Sequence, residues 1–369
     1  METISFARGV PAPECLPVEE LADCARAALE ADGAAVLNYG PTGGYGPLRE
    51  WIAERHGVEP GRVQVTNGSL QALNLIFERV AARGRIIVEA PTYDRPLKVA
   101  ARLGAEVVAI PQDEDGLDVE ALERELRRDP SPAFLYVLPT FQNPSGRTLP
   151  LERRRRLVEL ARAHALTVLE DDPYGKVRYE GDPPPTLFEL DGDGPILFAS
   201  SFSKVVAPGL RVGYVVLPSD LAADIEATAA NVYLTPVLLA QATVFEFLRR
   251  GRFEPNLERV CGLLRERRDA MLAALEQELA SGVRWSRPGG GYFLWLDFSE
   301  QVDSGELLGR AEEAGVTFVK GADFYPAGSG GGRSSARLAF SFVSPGEIRD
   351  GVHRLGELLA ELAPATAAV

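Results

Sequence analysis

The stretch Ser200-Ser201-Phe202-Ser203-Lys204-Val205-Val206-Ala207-Pro208-Gly209-Leu210-Arg211 sets one lysine among hydroxyls, with an arginine a short way beyond. It follows the apolar run Pro195-Ile196-Leu197-Phe198-Ala199, which reads as a buried strand, so Lys204 falls just past a strand's carboxyl end. Open α/β sheets hold their ligands there. A partly desolvated amine near a second cation loses its proton readily and can condense with an aldehyde. The Ser201 and Ser203 hydroxyls and the Arg211 fork suit a phosphate dianion.

Outward from this stretch, apolar runs alternate with helical patterns. Strands are expected at 63–65, 86–88, 106–110, 133–138, 166–169, 195–199 and 211–217, with helices at 68–82, 95–102, 119–128 and 150–164. Near-continuous apolar strands separated by helices imply an α/β fold: a mostly parallel seven-stranded sheet covered by helices on both faces. Before it come an extended segment at 4–11, a helix over 17–30 and a short helix over 47–56. After it, two helices fill 218–248 and a long amphipathic helix, 255–280, bridges to a smaller α/β domain. That domain is expected to have strands at 292–297, 317–319 and 337–342, helices at 304–314 and 345–362, and a frayed tail at 363–369. The expected division is an N-terminal segment 1–35, a large domain 36–254 and a bridging helix with small domain 255–369. The run Gly328-Ser329-Gly330-Gly331-Gly332 reads as a flexible loop, since no helix follows it to hold a phosphate.

Other strand ends carry candidate groups. Thr66-Asn67-Gly68-Ser69-Leu70 joins a strand to a helix, and free backbone N–H groups with the Ser69 hydroxyl form an anion site or a simple cap. Glu89-Ala90-Pro91-Thr92-Tyr93 presents an aromatic ring, and Pro139-Thr140-Phe141-Gln142-Asn143-Pro144 presents an amide or an Asn-Pro turn. Glu170-Asp171-Asp172-Pro173-Tyr174 follows an apolar strand, so at least one of its acids faces the sheet crevice. In Arg337-Leu338-Ala339-Phe340-Ser341, strand alternation sets Arg337 opposite the bulky residues.

Together these segments closely resemble the fold-type I pyridoxal-phosphate (PLP) enzymes, the class I and II aminotransferases. The branch they resemble is that of the α-aminoadipate and kynurenine aminotransferases and the MocR-like effector domains. The resemblance implies that Lys204 forms the covalent link to the PLP aldehyde and shuttles the substrate proton, while Asp171, rather than Asp172, keeps the ring nitrogen protonated. It implies that Tyr93 stacks on the ring, that Asn143 and Tyr174 meet its phenolic oxygen, and that Gly68, Ser69, Leu70, Ser201, Ser203 and Arg211 hold its phosphate. Glutamine is common in the family where this chain has Leu70, so only the backbone N–H carries over there. Arg337 would clamp the substrate carboxylate, with Asn143, Gly9 and Gly40 close to it. Tyr39 matches a tyrosine given to the neighbouring subunit's phosphate site, which implies a homodimer with shared active sites. Relatives in this branch commonly carry a further helical segment before the Ile4-Ser5-Phe6 run, where this chain has almost nothing, so side-chain specificity does not carry over.

The implied activity is transfer of an amino group from an L-amino acid to a 2-oxo acid such as 2-oxoglutarate. The same cofactor and fold also serve elimination, cyclisation and decarboxylation, and a regulator's effector module is a third reading. Composition narrows the field. The chain has 369 residues, 46% hydrophobic and 25% charged, with a formal charge of -14. That balance argues against nucleic acid, and no apolar run approaches the length of a membrane span. Cys15, Cys24 and Cys261 show no metal spacing and read as reduced thiols in a cytoplasmic protein. His56, His164 and His353 are scattered, so no metal site is expected, and no Gly-x-Gly-x-x-Gly follows the first strand to suggest a nucleotide-dependent dehydrogenase. Arg8 and Arg26 are candidates for a distal carboxylate of the substrate.

Overall fold

The alternation of apolar runs becomes a twisted sheet between two helix layers in the computed structural model, which describes residues 3–80, 83–128, 132–279 and 282–362. The expected tail at 363–369 and the expected helix ends at 81–82 and 280 lie outside the described residues. The chain opens with β1 (Ile4–Ser5), α1 (Val18–Val36) and α2 (Gly46–His56). Helix α1 runs past its expected end, through non-helical backbone at Asp32.

The large sheet and its crossovers follow as β2 (Val63–Thr66), α3 (Ser69–Val80), β3 (Ile86–Ala90), α4 (Asp94–Arg102), β4 (Val107–Asp113), β5 (Gly116–Leu117), α5 (Val119–Leu126), β6 (Phe134–Val137), α6 (Leu151–Ala163), β7 (Thr167–Asp171), α7 (Leu187–Asp191), β8 (Ile196–Ser201) and β9 (Gly213–Val216). The strand order is β2-β9-β8-β7-β6-β3-β4-β5. Eight strands rather than the expected seven result because β4 turns back at Gly116, φ +90°, into the two-residue strand β5. The five strands from β8 to β4 run parallel to one another, while β9 is antiparallel to both β8 and β2. The carboxyl ends of β2, β3, β6, β7 and β8 therefore open on one edge, joined there by the start of β9.

Two cores result. Side chains of Val168, Ile196, Phe198 and Leu135 point to the layer of α2, α6 and α10, and those of Leu169, Leu197, Ala199 and Tyr136 point to α3, α4 and α8. Burial of these apolar strands at ~25 cal/mol per Å² is the main drive for the sandwich.

The chain continues through α8 (Ser219–Tyr233), α9 (Leu238–Arg249), the 26-residue α10 (Phe253–Glu278), β10 (Arg284–Trp285), β11 (Phe293–Asp297), α11 (Ser304–Glu313), β12 (Val316–Thr317), β13 (Val319–Lys320), β14 (Ser335–Ala339) and α12 (Pro345–Leu362). A second, antiparallel sheet has the order β10-β11-β14-β13. The N-terminal segment is stitched to this side of the molecule. Ile4 and Ser5 pair in parallel with Val316 and Thr317, and Phe6, fully buried, accepts the Ala339 N–H at 2.7 Å. This pairing carries residues 7–10 across the sheet edge. Among the described residues, no helix is long and apolar enough to cross a membrane, and no His, Cys, Asp and Glu cluster has a metal-binding arrangement.

Candidate active site

Lys204 lies in the turn after β8, half-buried, with its Nζ donating to the Gly9 carbonyl at 2.8 Å. Its ammonium sits 5.2 Å from the Tyr292 ring centre and 5.6 Å from that of Tyr174. The turn is pinned from two sides, since the Tyr292 hydroxyl donates to the Lys204 carbonyl at 2.9 Å and Asn256 Nδ2 to the Val205 carbonyl at 2.8 Å. Burial, reinforced by the nearby Arg337 and Arg211 cations, pushes the Lys204 amine down to about 8. About a tenth of the amine is then neutral at pH 7, far more than for an ordinary lysine, and the neutral form is what a nucleophilic amine or a proton carrier needs.

The acids of Glu170-Asp171-Asp172 separate by strand parity. Glu170 turns to the α6 side, fully buried, where its oxygens accept the Leu187 and Phe188 N–H groups and Arg154 lies 3.7 Å away. Asp172 caps its own turn by accepting the Gly175 N–H at 2.7 Å. Asp171, 5% exposed, points to the opposite face, where its Oδ2 accepts the Tyr136 hydroxyl at 2.7 Å. Its Oδ1 is buried with no hydrogen-bond partner. Burial lifts the Asp171 carboxyl to about 7, against the Tyr136 hydrogen bond and with help from Asp172. Tyr93 stands at the N-cap position of α4 with no side-chain capping bond, and burial raises its phenol, with Asp94 and Asp171 adding to the shift. Tyr174 is buried against Tyr292 and, edge-on at 5.6 Å, Phe293; burial raises its phenol too.

Around the α3 N-terminus, the residues expected at a phosphate come together. Ser201 Oγ donates to Ser203 Oγ at 2.9 Å, and strand pairing sets Ser201 opposite Gly213. A Cβ on Gly213 would overlap the Ser69 amide nitrogen, so only glycine lets β9 approach the helix start this closely. Gly68 adopts φ +86° and lies against the Arg211 guanidinium, which among the described residues bonds to the Pro208 and Asn67 carbonyls alone, at 3.3 and 3.4 Å. Helix N–H groups, two hydroxyls and a guanidinium that has no acid partner among the described residues make an anion cradle. Leu70 contributes its backbone in the first turn of α3, and its side chain packs on the apolar core.

Arg337 stands on β14, 8% exposed, between the rings of Phe293 at 4.3 Å and Phe324 at 5.0 Å. Its Nη1 donates to Asn143 Oδ1 at 3.0 Å and its Nη2 to the Ala7 carbonyl at 2.8 Å, while Nε is buried without a partner. Burial pulls its guanidinium down to about 10. Gly9 fits under Phe293, where a Cβ would come within 2.6 Å of the ring. Gly40 instead packs on Leu238 and takes Thr235 Oγ1 as acceptor at 3.3 Å. Tyr39 is 78% exposed, Arg26 is exposed on α1, and Arg8 lies over the Phe342 ring at 4.5 Å. Sequence reasoning missed Tyr136, Tyr292 and the Ala7 carbonyl. An aromatic inside an apolar strand carries no local sign of its hydroxyl's partner, and a backbone carbonyl carries none at all.

Residues 11–355 match the family model described as aminotransferase class I and II. The 2-aminoadipate transaminase of Thermus thermophilus is 40% identical over 97% of this chain and 90% of its own length. A solved alpha-aminoadipate aminotransferase from the same species, complexed with N-(5'-phosphopyridoxyl)-L-leucine, superposes with a TM-score of 0.92 at 38% identity, over 98% of this chain and 92% of that one. The kynurenine aminotransferase of Pyrococcus horikoshii, solved with PMP, gives 0.94 at 35% identity, over 99% and 92%. The residues present fit a phosphorylated pyridine: an orphaned buried carboxylate oxygen lies on Asp171, and glycine at 68 and 213 lets the Arg211 guanidinium and the Ser69 amide approach closer than any Cβ would allow. Elimination, decarboxylation and an effector-module role are not favoured by these likenesses. The chain belongs to the class I and II aminotransferases and is a pyridoxal-phosphate-dependent transaminase.

Proposed function

We propose that Lys204 carries the cofactor and moves the substrate proton, that Asp171 holds the ring nitrogen, and that Arg337 clamps the α-carboxylate of amino acid and 2-oxo acid alike. The carrying observation is that three groups surround Tyr174: an amine depressed to about 8 and 5.6 Å from its ring, a buried carboxylate oxygen without a donor on Asp171, and the buried Arg337 guanidinium with an unused N–H, the last two both acting on the Tyr174 phenol. Tyr93, Asn143 and Tyr174 border the ring, and Gly68, Ser69, Leu70, Ser201, Ser203 and Arg211 receive the phosphate. When bound, pyridoxal phosphate supplies an electron sink for the charge left when the amino acid loses its Cα proton. Lys204 Nζ, neutral in part, takes that proton and returns it at C4′. The Gly9 carbonyl, which accepts from the free Lys204 amine at 2.8 Å, would hold that amine at the site once substrate has displaced it from the cofactor. Arg337 orients the acid with a planar fork that a lysine does not match. The Phe293 and Phe324 rings on either side keep water from its face.

The acceptor in this proposal is 2-oxoglutarate, and the donor is an acidic or aromatic L-amino acid, in keeping with the relatives. Arg8, with no acid partner among the described residues, is offered to a distal carboxylate; Arg26, exposed on α1, is a second candidate. The division into 1–35, 36–254 and 255–369 is likewise proposed, and it is supported by α10, which holds Val205 through Asn256 near its start and packs on α12 near its end.

We also propose a cytoplasmic homodimer. Leu37, Tyr39, Leu234 and Val237 are 70%, 78%, 57% and 57% exposed, an apolar patch that a second copy covers. The patch borders the phosphate cradle, because Asn67 accepts both the Val237 N–H at 3.0 Å and an Arg211 N–H at 3.4 Å. In that assembly Tyr39 reaches the cradle of the neighbouring subunit, and Gly40 shapes the same boundary. The test is a screen of amino acids against the holoenzyme without acceptor, followed by absorbance. Loss of the bound aldehyde's colour with an acidic or aromatic donor, and its return with 2-oxoglutarate, is expected. No colour change with any amino acid would refute the reading.

A further inference from the structure

Tyr136 lies in the middle of β6 with no exposure, in a wall otherwise made of Leu169, Leu197, Val88 and Phe77. Its ring meets Phe77 edge-on at 6.1 Å. Strand pairing sets Tyr136 opposite Leu169, so Asp171, two residues further along β7, is its diagonal neighbour on the same face. The hydroxyl spans that diagonal to Asp171 Oδ2 at 2.7 Å. Phenylalanine would fill this space equally well, as Phe134 does two residues earlier on the same strand face. What tyrosine adds is one donor, aimed at one oxygen of one buried acid.

We propose that Tyr136 is a positioning residue for the transamination site: by occupying Oδ2 it favours the ionised Asp171 carboxylate over the protonated acid and leaves Oδ1 as the single acceptor for the cofactor's ring nitrogen. The inference rests on the role given to Asp171 above. Among the described residues, the Tyr136 hydroxyl is the only donor that reaches Asp171 and the only influence that opposes burial. A carboxylate taken out of water with both oxygens unpaired keeps its proton at neutral pH. A neutral acid at this place offers a proton to the ring nitrogen instead of stabilising a cation there. The hydroxyl therefore sets both the charge of Asp171 and which oxygen faces the ligand, while its own position is fixed by the strand pairing and by Phe77.

The test compares two ligands on the apo form of the full chain: pyridoxal 5'-phosphate and its 1-deaza analogue, in which C–H replaces the ring nitrogen. The ratio of their dissociation constants reads the Asp171 contact alone. In D171N the preference for the nitrogen-bearing ligand is expected to vanish. Y136F is expected to lower it about tenfold or more, the worth of one hydrogen bond to a charged group. In the double variant, Y136F should change the preference no further than D171N does. With ring-15N cofactor bound, the Y136F nitrogen resonance is expected to move from the cationic toward the neutral range, a change that altered packing does not produce. If Y136F weakens both ligands equally while D171N abolishes the preference, the inference falls and the role of Asp171 stands. If D171N leaves the preference intact, the role of Asp171 fails and the inference with it. Should Y136F not fold, 3-fluorotyrosine at 136 keeps the packing and strengthens the donor. It should then raise the preference, and an unchanged ratio overturns the inference.

Discussion

Arg337 offers the most discriminating perturbation, because its removal affects three measurable quantities in different ways. In Arg337→Leu, substrates lose two charge-assisted hydrogen bonds, each worth ~1.5–3 kcal/mol. The Nη1 and Nη2 groups already donate to Asn143 and Ala7 at 3.0 and 2.8 Å, so the gain on binding lies at the low end of that range. A total near 3 kcal/mol corresponds to about two orders of magnitude in kcat/KM. The loss should be equal for the amino acid and for the oxo acid, since both present the same α-carboxylate. Leucine also leaves Asn143 Oδ1 and the Ala7 carbonyl without donors, at ~1–3 kcal/mol of stability each unless water enters.

Arg337 is also one of the two cations that, with burial, hold the Lys204 amine at about 8. Removing a positive neighbour favours the charged amine, so its pKa rises. Arg337→Lys separates the effects, because it keeps the charge and loses the fork. Affinity then falls about tenfold for the lost bidentate geometry, while Lys204 titrates as before. Single-turnover absorbance changes measure each half-reaction. Acylation of the apo-protein at varied pH, followed by peptide mapping, reads the amine, and Lys204 is readily separated from Lys98, Lys176 and Lys320. Unchanged KM for both acids in a folded Arg337→Leu protein would refute the clamp. A loss for one acid and not the other would refute it as well, since an α-carboxylate clamp does not distinguish them.

Four further outcomes follow from the geometry. Lys204→Ala should lose the covalent link, seen as the absence of the cofactor mass after borohydride reduction, and should lower the half-reaction rate by ~10²–10⁴ or more. Gly213→Ala drives a methyl into the Ser69 amide, so it should cost ~1–3 kcal/mol in thermal unfolding and weaken pyridoxal phosphate much more than phosphate-free pyridoxal. Leu234→Asp puts a charge in the exposed apolar patch, and sedimentation should show monomers with poorer cofactor retention; a dimer of wild-type strength would move the interface elsewhere. In the apo-protein, Asp171 has a folded pKa of about 7, above its unfolded value, so the native state keeps a proton that the unfolded chain releases. Its contribution to stability therefore falls as pH rises from roughly 4 to 7, on the order of a few kcal/mol. Urea unfolding of Asp171→Asn, which lacks this group, should be less pH-dependent than wild type across that window.

The strand-end motifs were legible because each sits within a few residues of its own strand: Lys204 after β8, Tyr93 after β3, Asn143 after β6, Arg337 on β14. Elements that exist only through a distant partner were not. At Ile4–Ser5 the extended backbone was legible but its pairing with Val316–Thr317 was not, and Arg284–Trp285 is a strand only because Asp297 and Leu296 lie beside it. Neither pairing has a local pattern of its own. Helix α7 did carry a signal, the capping box in which Thr186 and Glu189 bond reciprocally to backbone, but its few residues were masked by the surrounding prolines. The exposed apolar residues around Tyr39 were likewise not legible as a group, since the 37–42 and 234–237 segments are joined by tertiary bonds, Gly40 N–H to Thr235 Oγ1 at 3.3 Å and Thr42 Oγ1 to the Leu234 carbonyl at 2.9 Å.

The choice among Glu170, Asp171 and Asp172 shows how much simple strand geometry decides. Side chains alternate along a strand, so adjacent acids cannot share a face. Glu170 pairs with Phe198 and Val137, whose side chains belong to the core under α6, and there it meets Arg154. Asp171 pairs with Ala199, whose neighbours Leu197 and Tyr136 belong to the other core, under α3. Ser201 follows Ala199 by two residues and so lies on that same face, and Gly213, its partner across the ladder, admits the start of α3 there. One parity therefore collects the acid, the hydroxyl that aims it, the serine and the helix N-terminus on a single side of the sheet. A one-residue shift of β7 would turn Asp171 to the α6 side and Glu170 to the opposite face, stripping Glu170 of its two backbone N–H donors and burying Asp171 beside Arg154. The register of β7 between β6 and β8 is thus the structural condition on which the electronic role proposed for Asp171 rests.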